Sequence, residues 1–511
     1  MSAPGADIKA TPSGGAPEPD AAVVAGRGAL FIGFAKIYFM LSGLVQQVGL
    51  NRVLGSVEYG AFGVVNSVIS IVNNTMVQAT VQSVSKFTAE DDARAGAVQR
   101  AGLRMQVVVG VVLALAFFLG APLIAEFEKA PGYVPYFRIA ALIPLLYAVY
   151  AVFVGSANGL RRFHTQAGFD VGFSTSKTIL LLGLAVVWKV TGAFVGFVAA
   201  AAFILVVASR VMALPVRAGE RFPTATIARY MSAVVAYGLL LNVALNYDLP
   251  LLRHFAPEHA GVDAELAGRL AGHYEALRTL ALLPYQALLV VTFVIFPLVS
   301  RSTFANDREA TSVYVTQTLR YALILAAAMG IVLAARPAAL LGILYKPEYG
   351  DGAPALPILV TGECCLALLA VACAILNAAG RTRATLSLMA TTVVVGAVAA
   401  ALLVPRAAPG APMLMAAATA TTLGMVAGFV ASIVYLRARL GGAAPLGTVA
   451  RVAAAMAAGA LAARLVPGHG KIVGLAAMAL AGLAYAAVLI ALREFGPTDR
   501  AKFAKVLRRG R

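Results

Sequence analysis

The chain has 511 residues, 60% of them hydrophobic and only 13% charged, with a mean hydropathy of +0.84. A soluble domain needs roughly 25% charged residues to cover its surface, so much of this surface must face lipid. The 41 Lys and Arg against 23 Asp and Glu give a formal charge of +18; these cations sit in short connections between apolar runs, a pattern of topology signals rather than of nucleic-acid binding.

Residues 1–28 are rich in Ala, Pro, Gly and Asp and contain no apolar core. They read as a disordered cytoplasmic tail rather than a cleavable signal peptide, which leaves the first spanning helix as the targeting signal. A bilayer core of about 30 Å needs about 20 apolar residues in a helix. Such segments fall near 29–50, 61–85, 104–125, 135–157, 169–190, 193–214, 230–253, 273–300, 314–335, 354–379, 385–404, 412–436, 450–466 and 472–492. The expected fold is therefore an all-α polytopic membrane protein with about fourteen transmembrane helices. Only Val190–Gly192 separates the pair at 169–214. The expected organisation is a six-helix lobe over 29–214, a second over 215–436, two further helices over 437–493 and a basic cytoplasmic tail over 494–511.

Cytoplasmic connections carry the excess of Lys and Arg. With the amino terminus inside, the inside connections and tails hold twenty-seven cations and the outside connections ten, so both ends are expected in the cytoplasm. The longest outside connection, His254 to Gly272, has 19 residues, too few for a soluble domain. The fourth segment ends in Ala157-Asn158-Gly159-Leu160-Arg161-Arg162 and the tenth in Ala378-Ala379-Gly380-Arg381-Thr382-Arg383. Aligning Gly159 with Gly380 and Arg162 with Arg383 gives a duplication of two six-helix lobes, a known transporter plan with substrate bound between repeats. Gly followed by Arg also ends any inward-running helix.

No enzyme motif is found, and neither a cofactor nor a metal is expected. Gly470-Lys471 lacks the earlier glycine of a phosphate loop, and the five histidines are scattered. Asp91-Asp92 reads as a solvated face. Cys364, Cys365 and Cys373 share one apolar segment and read as small buried hydrophobes. What remains is a set of ionisable groups at membrane depth, where such groups usually face a cavity or a partner. Lys36 lies about 10 Å into the first helix, and Lys177 is similarly deep in the fifth; either can also snorkel to the inner surface. Glu363 lies near mid-membrane in the tenth, as a satisfied core carboxyl or a proton relay. Toward the outer side stand Asn242, Asn246, Asp248, Glu275, Arg278 and Arg138; Glu275 and Arg278 are spaced to pair with each other. Asn66, Asn73, Asn74 and Gln78 in the second helix, with Gln46 and Gln47 in the first, suit either interhelical bonding or contacts to sugar hydroxyls.

Several stretches resemble the Wzx-type polysaccharide flippases of the multidrug/oligosaccharidyl-lipid/polysaccharide exporter (MOP) superfamily. Leu54-Gly55-Ser56-Val57-Glu58-Tyr59-Gly60 matches that family's L-G-x-x-x-Y-G turn. Asp248 followed by Gly272-x-Tyr274, Leu280, Pro284 and Pro297 is similar to its membrane Asp, G-x-Y segment and downstream proline, and the ends at Gly159 and Gly380 look like the family's too. The resemblance implies a transporter that turns a polyprenyl-pyrophosphate-linked sugar repeat unit from the inner to the outer leaflet. It implies Lys36, Lys177, Arg138 and Arg278 as cations for the pyrophosphate. Asp248, Glu363 or Glu275 would couple to an ion, and Asn66, Asn73, Asn74, Gln78, Asn242 and Asn246 would meet the sugars. Implied partners are membrane lipids, a polysaccharide polymerase and chain-length proteins, with no nucleic acid. A lipid II flippase and a multidrug antiporter share the superfamily; a membrane polysaccharide polymerase would carry a larger outside loop.

Overall fold

The computed structural model describes residues 19–216, 220–289, 299, 307–468, 470–496 and 499, with side chains from Ile37 onwards. Sixteen α-helices are named here: α1 (Pro19–Leu54), α2 (Ser56–Glu90), α3 (Ala95–Phe127), α4 (Val134–Ala140), α5 (Leu142–Gly159), α6 (Phe163–Val211), α7 (Thr224–Asn246), α8 (Asp248–Phe255), α9 (Ala264–Ala281), α10 (Arg308–Ala335), α11 (Pro337–Leu344), α12 (Leu356–Ala378), α13 (Thr382–Leu403), α14 (Ala411–Leu440), α15 (Leu446–Leu465) and α16 (Lys471–Ala491). The chain is also helical over 283–289, and no strand occurs among the described residues.

Eleven helices among the described residues are long and apolar enough to cross a membrane. Two of the expected segments, 169–190 and 193–214, both lie in α6, which counts once among the eleven. Its backbone breaks at Trp188 and Lys189, with φ of 53° at Lys189, slightly earlier than the expected break at 190–192. The two arms run antiparallel and touch. A Cβ on Gly192 would overlap the carbonyl of Leu184, and one on Gly196 that of Leu180, so glycine is what permits so tight a hairpin. The expected segment 29–50 lies in α1, which begins at Pro19 and so takes ten residues of the expected tail into a helix. The segment 273–300 leaves the described residues after 289, and Pro297 lies outside them.

A larger departure concerns the connection from His254 to Gly272. Asp263 caps a helix there by accepting from the Leu266 amide at 2.7 Å, so α9 starts at Ala264, nine residues before the expected span. Hydropathy missed this turn because it is polar, with Glu265 and Arg269 paired at 3.0 Å.

The proposed duplication also needs a new register. The left-handed residue that ends α5 is Arg161 (φ 57°), and the one that ends α12 is Gly380 (φ 72°). Arg162 donates to the Ala157 carbonyl at 2.8 Å, as Arg381 does to Leu376 at 2.8 Å. Asn158 thus corresponds to Asn377 and Arg162 to Arg381, two residues away from the alignment of Gly159 on Gly380. Gly159 serves packing instead: a Cβ there would lie 2.6 Å from Thr88 of α2.

Helix α2 is the axis of the bundle, packing on α5 of its own half and on α7 and α9 of the other. Contacts between connections join those that the charge count places on one side. At the end holding the α1–α2 turn, Lys189 donates to Val53 O at 3.2 Å and Lys129 pairs with Glu258 at 3.1 Å. At the opposite end Gln99 reaches Met212 O at 2.9 Å, and Ser312 reaches Gly441 O at 3.0 Å. Helices α15 and α16 pack on each other and on α10, where Tyr485 donates to Ile324 O at 2.9 Å.

Candidate functional site: a buried charge cluster between the two halves

Small residues set the site's geometry. On α2, a Cβ on Gly60 would overlap the Gly268 carbonyl of α9; on α9, a Cβ on Gly272 would overlap the Ser56 carbonyl. Glycines at a crossing let backbones approach closely. One turn further along α2, a Cβ on Gly63 would sit 2.9 Å from Glu275 Cγ. The crossing therefore presses the polar face of α9 against α2.

There Arg278 bridges the two halves. Its Nη1 donates to Ser67 Oγ of α2 at 2.7 Å and its Nη2 to Asn246 Oδ1 of α7 at 2.9 Å. Nη1 also lies 3.2 Å from Glu275 and 3.9 Å from Asp248, the first residue of α8. Glu275 accepts from Gln47 of α1 at 3.3 Å, and Gln47 accepts from Tyr59 of α2 at 3.2 Å. Tyr274 shares a hydrogen bond with Thr421 of α14 at 3.1 Å. Glu363 of α12 is near enough to act electrostatically on Arg278 and Asp248.

Exposure is 5% for Asp248, 3% for Glu275, 5% for Arg278 and 1% for Glu363. Ions so buried are tolerated only with close partners. The cluster sets three carboxylates against one guanidinium, and both carboxylate oxygens of Asp248 lack a hydrogen-bond partner among the described residues. Such an arrangement can hold a further proton or monovalent cation; its charged members all come from the second half of the chain, and the first half contributes Ser67 and Gln47. No group of three or more His, Cys, Asp and Glu suited to a metal ion occurs among the described residues.

The structure thus brings Asp248, Glu275, Arg278, Glu363 and Asn246 together and places the other expected residues elsewhere. Asn242 bonds Thr75 of α2 at 3.3 Å along the α2–α7 seam. Gln78 lies beside Gly238 on that seam. Asn73 is buried and donates to exposed Asn74 at 3.3 Å, while Asn66 is half-buried. Gln46 ties α1 to α6 through Thr178 at 2.9 Å. Lys177 stands apart from the cluster's helices, on α6, with Nζ 3.8 Å from the centre of the Phe197 ring. Arg138 is exposed, its guanidinium over Phe118 at 5.2 Å, rather than in the cluster. Lys36 lies in α1, and its side chain falls outside the described residues. Ser67 was not foreseen: it is one of several hydroxyls in a helix whose amides drew the attention, and nothing local marks it out.

A bundle of long apolar helices in this order defines a multi-pass membrane protein. Residues 25–303 match the polysaccharide biosynthesis protein family, and the chain belongs to it. No curated protein matches it in sequence. Among solved structures, the lipid II flippase MurJ in an inward closed conformation superposes with a TM-score of 0.72 at 11% identity, covering 91% of this chain and 99% of that one. A MOP superfamily transporter from Pyrococcus furiosus gives 0.62 at 13% identity over 81% of this chain and 95% of that one. An inward-facing multidrug resistance MATE transporter of the MOP superfamily gives 0.63 at 15% identity, covering 82% and 98%. At these identities the likeness is one of fold.

Proposed function

We propose that this protein is a flippase that moves polyprenyl-pyrophosphate-linked oligosaccharide repeat units from the inner to the outer leaflet for surface polysaccharide (O-antigen, capsule or exopolysaccharide) synthesis. It works by alternating access between two six-helix lobes in a bacterial inner membrane, with both termini cytoplasmic. The carrying observation is the buried network around Arg278, which joins α2 to α7, α8 and α9 inside an apolar bundle; the polysaccharide biosynthesis family membership supports the choice of cargo. The need for a protein is physical, since each unpaired hydroxyl moved into hydrocarbon costs about 2–7 kcal/mol.

On this reading Arg278 is committed to Glu275 and Ser67, and meets a pyrophosphate only by exchanging those partners. Lys177 has no ion pair among the described residues and is the better pyrophosphate cation. Asp248, Glu275 and Glu363 form the coupling site for a proton or sodium ion. Polymerase and chain-length proteins receive the product. A second reading, lipid II transport, draws on the superposition with MurJ.

One experiment separates the two: deletion of the gene with quantification of lipid-linked sugars in viable cells. Loss of one surface polymer with its lipid-linked repeat unit accumulating is the expected result. Lethality with accumulated lipid II would establish the second reading. Unchanged pools, with redundancy excluded, would end both.

A further inference from the structure

The α1–α2 end of the bundle buries a second polar group, next to the charge cluster. The turn Pro347–Gly352 carries Tyr349 and lies on α9, where a Cβ on Gly352 would sit 3.1 Å from Leu277. Tyr345, just beyond α11, has its ring centre 5.4 Å from that of Tyr349, and Tyr349 lies 4.6 Å from the His273 ring of α9. Asn51 of α1 stands beside Tyr349, and Tyr59 of α2 and Thr279 of α9 stand beside Tyr345. Exposure is 5% or less at Asn51, Tyr59, His273, Tyr345 and Tyr349.

The group runs between two ends. At the surface, His273 feels the charges of exposed Glu348, Asp351 and Arg269. In the interior, Tyr59 and Tyr345 both lie within electrostatic reach of Glu275, and Tyr59 donates to Gln47, whose amide holds Glu275 Oε1 at 3.3 Å. His273 and Glu275 are two residues apart, so α9 turns them roughly 200° away from each other. The two tyrosines supply the link that the helix cannot.

Tyr345 Oη, Tyr349 Oη, His273 Nε2 and both amide atoms of Asn51 have no hydrogen-bond partner among the described residues. Glu275 Oε2 is likewise unbonded, with only the charge of Arg278 beside it at 3.2 Å. Leaving one such buried group unpaired costs about 1–3 kcal/mol, and native proteins rarely do so. Polar atoms gathered this closely, yet not bonded to one another, have the spacing that bridging water fills. Packing alone would be served as well by phenylalanine.

We propose that this group is a water-filled proton path from the outer surface to Glu275, entered at His273 and lined by Tyr349, Asn51, Tyr345 and Tyr59. The inference rests on the proposed topology and on the reading of Asp248, Glu275 and Glu363 as an ion-coupling site; it makes the ion a proton that arrives from outside. Each hydroxyl or water gives up one proton as it takes another, and the imidazole takes one at one ring nitrogen and releases one at the other. Only the ends change: the outside water loses a proton, and the Glu275 carboxylate becomes a neutral acid. That ends its ion pair with Arg278, which keeps Asp248 at 3.9 Å.

The test uses the full-length protein in phospholipid nanodiscs. Brief X-ray radiolysis marks side chains beside bound water, and mixing with heavy-oxygen water before the pulse shows whether that water exchanges. Tyr59, Tyr345 and Tyr349 are expected to be marked and to carry the heavy oxygen, whereas Phe62 and Phe194, as deeply buried and stacked at 5.0 Å, stay unmarked. In proteoliposomes, outward movement of a fluorescent polyprenyl-pyrophosphate disaccharide is expected to speed up with acid outside. Tyr345→Phe combined with Tyr349→Phe is expected to cut that acceleration about tenfold. Unmarked tyrosines would show dry packing and overturn the proposal. Marked tyrosines with the acceleration intact in the double variant would make the water structural, overturning the path and leaving the flippase standing. A wild type that moves the probe without regard to the gradient would do the same. A wild type that moves no probe would remove the flippase reading and this inference together.

Discussion

Arg278 lies among carboxylates, a serine and an amide supplied by both halves of the bundle, whereas Lys177 lies over a phenylalanine ring within one half. The first cation is neutralised and fixed. The second has only the weaker attraction of an aromatic face and keeps its charge available to something else. The contrast separates a structural bridge from a cation held ready, and the predictions below test whether that distinction is real.

The largest effect is expected at Arg278. Arg278→Met leaves Glu275 and Asp248 buried without their counter-ion, and breaking a buried pair from one side costs about 3–5 kcal/mol. A thermal melt in detergent should fall steeply, and adding Glu275→Gln should recover part of the loss. A single variant that melts with the wild type would show that Arg278 bridges nothing.

Next comes the crossing that holds the bridge together. Gly272→Ala drives a methyl into the Ser56 carbonyl, a backbone atom that cannot step aside, and overpacking of this kind costs about 1–3 kcal/mol. Gly268→Ala is the internal control, because its nearest neighbour is the Val57 side chain at 3.1 Å. The first variant should lower the melting temperature clearly more than the second. Equal effects would detach the cluster from the glycine crossing.

Glu494 inverts the polarity of Arg278: here one carboxylate, 2% exposed, sits between Arg320 at 2.6 Å and Arg451 at 2.8 Å and accepts from Thr448 at 2.7 Å. Burial opposes its ionisation, yet the hydrogen bonds from Arg451, Arg320 and Thr448 prevail and hold its pKa below the usual value. A depressed carboxylate gives stability that is whole above its unfolded pKa, about 4.3, and that is lost as pH falls through the lower folded value. Glu494→Gln trades charged bonds for neutral ones, a loss of about 1 kcal/mol. The melt of the wild type should therefore exceed that of the variant at pH 7, and the two should converge in strong acid. A gap that persists at low pH would mean Glu494 acts by shape rather than charge.

How much of this was legible follows from what each sequence signal measures. Hydropathy locates apolar segments and did so for α10 and α12–α16 within a few residues. It is blind to polar turns of helix, which is why the start of α9 was read as a loop. Spacing foretold the pairing of Glu275 with Arg278, because three residues apart on a helix is a local relation. It was silent on Ser67, whose partner lies far along the chain, since that contact depends on a helix crossing that the glycines make possible. Arg138 shows the converse error: its place early in its segment was readable, but the exposed face it occupies was not. The register of the repeat failed because Gly159 was matched by letter, while the backbone places the left-handed turn at Arg161.

The smallest stability effect is expected at Lys177, and it is the one that decides the comparison. Lys177→Met removes a cation–π contact of about 0.5–1 kcal/mol and puts an apolar chain of similar length against Phe173 and Phe197. Fold and melting temperature should barely move. Transport should fall sharply if the ammonium serves the pyrophosphate, and Lys177→Arg should restore part of it because the charge remains. A Lys177→Met protein that melts like the wild type and transports at full rate would make the residue a packing cation, and the site for the pyrophosphate would then have to be sought among the groups around Arg278 instead.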